Sequence, residues 1–155
     1  MNPVRVLGWG RAHPPEILTN AHLEARLDTD DEWIRTRTGI ERRHVGGTTS
    51  TLATEAGREA LGRWGGDPAT VDVVIVATCT PDTIIPAVAA AVADELGLTG
   101  GTMDLNGACA GFVQALIVAN GLLATGSERV LVIGADAMSS VVDPDDRSTA
   151  ILFGD

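Results

Sequence analysis

Residues 106–112, Asn106-Gly107-Ala108-Cys109-Ala110-Gly111-Phe112, set one of the chain's two cysteines between alanines and glycines. Side chains this small allow a sharp backbone turn, and they let another group come close to the sulfur. Upstream, Thr102 to Asn106 (TMDLN) reads as a short strand. From about Cys109 to Gly126, apolar residues lie nearly all round a helix, which predicts a buried helix. Cys109 therefore falls at a strand-to-helix junction. Gly107 to Gly111 spells G-x-C-x-G, the cysteine form of a turn that presents a nucleophile. A helix start aims N–H groups and partial positive charge at an anion placed there, a contribution of about 0.3–1 kcal/mol. The bland alternative is a packed thiol behaving as a small hydrophobe, the commoner fate of free cysteines. Cys79, which ends an apolar run without flanking glycines, fits that alternative better.

The rest of the chain places this turn in an α/β pattern. Val4 to Trp9 reads as a strand, followed by a turn at His13-Pro14-Pro15. Asn20 is a candidate cap for a helix over 21–27. Asp30 can cap another over 31–37, stopped by Gly39. Thr48-Thr49-Ser50 precedes a helix running to about Trp64. Val71 to Thr80 (VDVVIVATCT) is a β-branched run suited to a strand covered on both faces, as in a parallel sheet. Pro86 stands near the start of a helix ending before Gly97. Arg129 to Asp136 (RVLVIGAD) is another buried-type strand, and AILFG begins a last one. Strand, helix, strand, helix, strand predicts a layered sheet.

With 155 residues and 45% apolar content, the chain has the length and core of one domain, 1–155. A net charge of −10 gives no basic footprint for nucleic acid. No long uncharged apolar run predicts a membrane span, and the N-terminal stretch lacks a signal peptide's apolar region. Two cysteines in such a chain predict free thiols in a reducing cytoplasm. A cysteine hydrolase contained in this chain is disfavoured. It needs an acid and then a histidine after the nucleophile, whereas His13, His22 and His44 all precede Cys109.

Three spaced segments, DLNGACAGF, LTNAHLEARLDTDDEWIRTRTGIERRHV (18–45) and DPDDRSTAILFGD (143–155), together resemble the N-terminal half of the β-ketoacyl-acyl carrier protein synthase III family. The resemblance implies a thiolase-like fold: one αβα half of a five-layer αβαβα architecture, with a mixed, mostly parallel sheet. It implies an acyltransferase in which Cys109 takes the acyl group of an acyl-CoA. Malonyl-acyl carrier protein then loses carbon dioxide, and its carbanion attacks the acyl-cysteine to give a β-ketoacyl product. This starts fatty acid synthesis or feeds a polyketide-like pathway. The resemblance further implies that Trp33 stacks on the adenine of CoA, with Arg147 on the other side of that ring. Arg37 would contact the nucleotide end, and Thr29 would make a weaker polar contact to the base. Ile85 and Phe112 would lie at the acyl pocket, Ile85 from across a homodimer interface, where isoleucine permits a longer or branched starter. No metal and no cofactor are implied, since the CoA thioester is a substrate.

In the same family the histidine and asparagine of the catalytic triad, and a glycine N–H of the oxyanion hole, come from the C-terminal half, which this chain lacks. The expectation is therefore a truncated piece, or one part of a split enzyme completed by a C-terminal half. Alone it would lack condensation activity, with weak acyl transfer to Cys109 surviving. Two other readings stay open: acyl transfer to an oxygen or nitrogen acceptor in secondary metabolism, and a non-catalytic assembly subunit.

Overall fold

The computed structural model describes residues 4–155. They fall into two compact units: residues up to Ala12 together with Thr48–Asp136, and His13–Gly47 together with Ala137–Asp155.

The first unit is built on a three-stranded parallel sheet in the order β4-β3-β5, with β3 Val73–Ala77, β4 Gly101–Leu105 and β5 Val130–Gly134. β3 is central, pairing Ala77 with both Leu105 and Gly134. Its run of β-branched residues has no polar side because both faces are covered. Val74 and Val76 pack in a cluster with Ala53, Val88, Ala89 and Val92; Ile75 and Ala77 pack with Ala115 and Ala119. The first cluster belongs to α3 (Thr49–Trp64) and α4 (Val88–Leu96), the second to α5 (Gly111–Ala124).

Local chemistry sets these helix ends. Thr48 caps α3, and the Asp82 carboxylate accepts from the N–H groups of Thr49 and Ser50 at 2.9 and 2.7 Å. The α4 cap residue is Ala87, which has no acceptor side chain. Asp104, from β4, takes the Val88 and Ala89 N–H groups instead, each at 2.8 Å.

The second unit holds an antiparallel pair, β1 Glu16–Thr19 and β2 Arg42–Val45, with the short helices α1 Asn20–Glu24 and α6 Arg147–Ala150 and the longer α2 Asp31–Thr38. Leu23, Ile34, Ala150 and Ile151 form its core. Asp30 caps α2 by accepting from Trp33 N–H at 2.7 Å, and Gly39 ends it at φ 72°, as the sequence predicts.

Four expectations are corrected. Val4 to Trp9 is not a strand. Gly8 and Gly10 lie so close to α3 that a Cβ on either would collide with its backbone at Ala60 and Ala56, so this segment follows a helix rather than a ladder. Asn20 is not a cap: Thr19 is, and Asn20 is buried inside the first turn of α1. AILFG does not begin a strand, because α6 and a turn occupy 147–152. Finally, α5 is not buried all round. Gly111, Ala115 and Ala119 face the sheet, while Phe112, Val113, Leu116 and Ile117 are exposed, Ile117 by 67%. Apolar residues on every side demand cover on every side, and the described residues cover one side only.

Candidate functional site

Cys109 sits in a single 3-10 turn, Ala108–Ala110, between the end of β4 and the first residue of α5. The strand-to-helix placement read from the sequence is therefore correct, with the helix proper starting two residues later. The turn needs an unusual backbone: Ala108 has φ 45°, alone among the described non-glycine residues in being positive. Such a conformation costs on the order of 1–3 kcal/mol and persists where its surroundings enforce it. Those surroundings include Asn106, whose Oδ1 accepts from Ala108 N–H at 3.4 Å, and Gly107, whose carbonyl accepts from Ala110 N–H at 3.1 Å. At Gly107 a Cβ would strike the Gln114 amide and come within 2.9 Å of Gly111 Cα. At Gly111 a Cβ would make ordinary contact with Ala77 Cβ at 3.5 Å. The small residues thus let the turn fold down against the tip of β3 with Cys109 exposed.

Cys109 is exposed and borders an open cavity of about 830 Å³, shared with Phe112, Leu116, Gly134, Asp136 and Trp9. Phe112 lies over Gly134, where a Cβ would come within 3.1 Å of its ring. Ile85 does not line this cavity. It stands with Ile84 on the loop before α4, the two being 86% and 92% exposed.

Cys79 corrects the sequence reading. It lies beyond the end of β3 and is exposed rather than packed. Its N–H donates to Asp136 Oδ1 at 2.7 Å, and the same oxygen accepts from the Thr78 hydroxyl at 3.0 Å. Partial desolvation first, and then the Asp136 carboxylate, push the Cys79 thiol up. Asp136 is a residue the sequence reading passed over. Its signal was an acid directly following a buried strand, where it can face the ends of neighbouring strands.

In the second unit, Trp33 carries two guanidinium groups on its ring, Arg37 at 4.3 Å and Arg147 at 4.9 Å from the centroid. Arg37 and Arg147, 110 positions apart, are thus brought to one indole. Arg147 is steadied by donating to the Asp28 carbonyl at 2.8 Å. Neighbouring Arg35, by contrast, is tied to Asp31 and Glu41. Thr29 Oγ1 is buried without a hydrogen-bond partner, an uncompensated polar atom in the same unit.

The histidines have local partners. His22 Nδ1 accepts from Thr19 N–H at 3.1 Å. His44 Nδ1 donates to the Pro14 carbonyl at 2.8 Å, and the His13 ring lies 5.2 Å from that of His44. Among the described residues no group of three or more His, Cys, Asp or Glu could hold a metal ion, and no helix is long and apolar enough to cross a membrane.

A parallel αβα core of this kind is a thiolase-type architecture, and solved structures match it. The β-ketoacyl-[acyl carrier protein] synthase III of Thermus thermophilus superposes with a TM-score of 0.94 at 45% identity, over 98% of this chain and 49% of that one. The priming β-ketosynthase of the R1128 polyketide pathway does so with 0.92 at 40% identity, over 97% and 47%. Among curated proteins, the β-ketoacyl-[acyl-carrier-protein] synthase III of Rubrobacter xylanophilus is 53% identical over 97% of this chain and 50% of its own length. The family model for 3-oxoacyl-[acyl-carrier-protein] synthase III matches residues 103–155. The chain belongs to the β-ketoacyl-[acyl-carrier-protein] synthase III family, and it spans about half the length of the curated relatives it matches.

Proposed function

We propose that this chain is the acyl-accepting half of a β-ketoacyl-acyl carrier protein synthase III. In this reading Cys109 Sγ attacks the carbonyl of an acyl-CoA, the CoA thiolate leaves, and the acyl group stays on the protein as a new thioester. Trp33 takes the adenine ring by stacking. Arg147 and Arg37 supply planar cations for the base and the phosphates, and Thr29 Oγ1 offers a polar contact to the base. Phe112 contributes to the acyl pocket. Ile85, exposed on its loop, serves that pocket in a homodimer partner. Condensation with malonyl-acyl carrier protein then needs a histidine and an asparagine outside these 155 residues.

The single observation that carries the reading is the position of Cys109: exposed on a turn that holds Ala108 at a positive φ, at the edge of a cavity large enough for an acyl chain. The Arg37–Trp33–Arg147 cluster supports it independently. The test is incubation with a panel of acyl-CoAs, followed by peptide mass spectrometry. An adduct confined to Cys109, with Cys79 unmodified, is the expected result. Acylation of both thiols alike, or of neither when a C-terminal half is also supplied, would refute it.

A further inference from the structure

The family reading gives Cys79 no task, yet the fold sets it at the same end of the sheet as Cys109. β3 and β4 are neighbours in register, Ala77 opposite Leu105, and the ladder extends one residue further, with Thr78 N–H donating to the Leu105 carbonyl at 3.0 Å. Cys79 is the next residue. Cys109 follows the neighbouring strand β4, on a turn that comes close to β3: a Cβ on Gly111 would lie 3.5 Å from the Ala77 Cβ, and the two thiols are near enough to influence each other electrostatically. Both cysteines are exposed, and Asp136, just past the end of β5, accepts from the Cys79 N–H at 2.7 Å.

We propose that Cys79 and Cys109 form a reversible disulfide under peroxide, a modification that caps the nucleophile and protects it from irreversible oxidation. The inference rests on the reading of Cys109 as the reactive thiol. In the first step the Cys109 thiolate attacks one oxygen of hydrogen peroxide, the O–O bond breaks, and hydroxide leaves. Sulfur is oxidised by two electrons to a sulfenic acid, and peroxide is reduced. In the second step the Cys79 sulfur attacks the Cys109 sulfur. The S–S bond forms, the S–O bond breaks, and the hydroxyl leaves as water with the Cys79 proton. A dithiol reverses the bridge by exchange.

The division of labour follows from the surroundings of the two thiols. Desolvation, the Asp136 carboxylate and, as a smaller contribution, negative charge on Cys109 all hold Cys79 in its protonated form. A thiol so held is the slower of two to meet peroxide. It acts as the resolving group after Cys109 has been oxidised, giving up its proton as the water departs.

The test is a peroxide titration of the full reduced chain, read by intact mass, non-reducing peptide mapping and dimedone trapping. The wild type is expected to lose two hydrogens, to yield a linked peptide pair containing residues 79 and 109, and to recover all its free thiol in dithiothreitol. Cys79→Ser and Cys79→Ala, both checked for native circular dichroism, are expected to give a dimedone-trapped sulfenic acid at Cys109, then a sulfinic acid that dithiothreitol does not reverse. Sulfinic acid at Cys109 in the wild type, with Cys79 still alkylatable, would overturn the proposal, as would bridges found only between chains. Acyl-CoA labelling of the reduced protein is scored separately. Labelling at Cys109 without a bridge defeats this inference alone, and absence of labelling even with a C-terminal half supplied defeats the functional reading.

Discussion

Arg43 is buried at 4% exposure and donates through Nη1 to Asn20 Oδ1 at 2.8 Å. Its Nε and Nη2 also donate to the Ile151 carbonyl, and Asn20 Nδ2 donates onward to Asp31 Oδ1 at 2.7 Å. A buried cation is held here by neutral acceptors, with the nearest carboxylate of the network one residue removed. Asn20→Ala strips an acceptor from that cation without touching the apolar core. It should cost about 2 kcal/mol or more, read as a lower urea midpoint with unchanged m. A loss within a few tenths of a kcal/mol would show that water replaces the amide.

Asp155 accepts from the Ser139 N–H and hydroxyl, each at 2.6 Å, and from Gly46 N–H at 2.8 Å. Burial alone would raise its carboxyl, but these donors outweigh burial and hold it below the ordinary carboxylate value. A carboxylate depressed on folding stabilises the folded form above its unfolded pKa, near 4, and loses that contribution as pH falls through the lower folded value. Asp155→Asn should therefore lower stability at neutral pH and flatten the acid limb below about pH 4. Parallel thermal melts of both proteins across pH 2.5–7 decide it.

The Trp33 ring, with guanidinium groups at 4.3 and 4.9 Å, gives a binding prediction. Stacking of a base on an aromatic ring contributes about 1–3 kcal/mol, so Trp33→Ala should weaken CoA binding by roughly 5- to 150-fold. Trp33→Phe should lose less, and calorimetric titration with CoA compares the three. Equal affinity in all of them would remove Trp33 from the nucleotide site.

Gly107 gives a prediction on rate rather than on affinity. An alanine there meets Gly111 Cα at 2.9 Å, a backbone contact that no rotamer relieves. Gly107→Ala should displace the Ala108–Ala110 turn and slow acylation of Cys109 by about tenfold or more, with CoA affinity preserved. Time-resolved intact mass with an acyl-CoA measures it. An unchanged rate would mean that the turn tolerates a shift without moving the sulfur.

Phe112, Val113, Leu116 and Ile117 form an exposed apolar face on α5, a feature that promotes association. Leu116→Glu with Ile117→Glu should reduce both dye binding by the isolated chain and its concentration-dependent aggregation, followed by light scattering. Neither residue is among those facing the sheet, so the circular dichroism spectrum should not change.

Much of this protein was legible along the chain because the deciding signals are local. A β-branched run predicts a doubly covered strand, and Val74 to Ala77 are buried on both faces. Asp30, Thr48, Gly39 and Gly97 act at the helix ends they adjoin, since a cap bonds to a backbone two or three residues away. The glycines and alanines about Cys109 announce a sharp turn for the same reason. What the sequence left open depends on contacts between distant residues. Nothing near Val4 to Trp9 says that Gly8 and Gly10 will lie on α3, and nothing near Asn20 says that it will serve Arg43. Periodicity called for α5 to be buried, but only the tertiary structure decides which faces of a helix find cover. The fold likewise carries Arg147 to Trp33, because chain closure sets distances that residue spacing cannot encode.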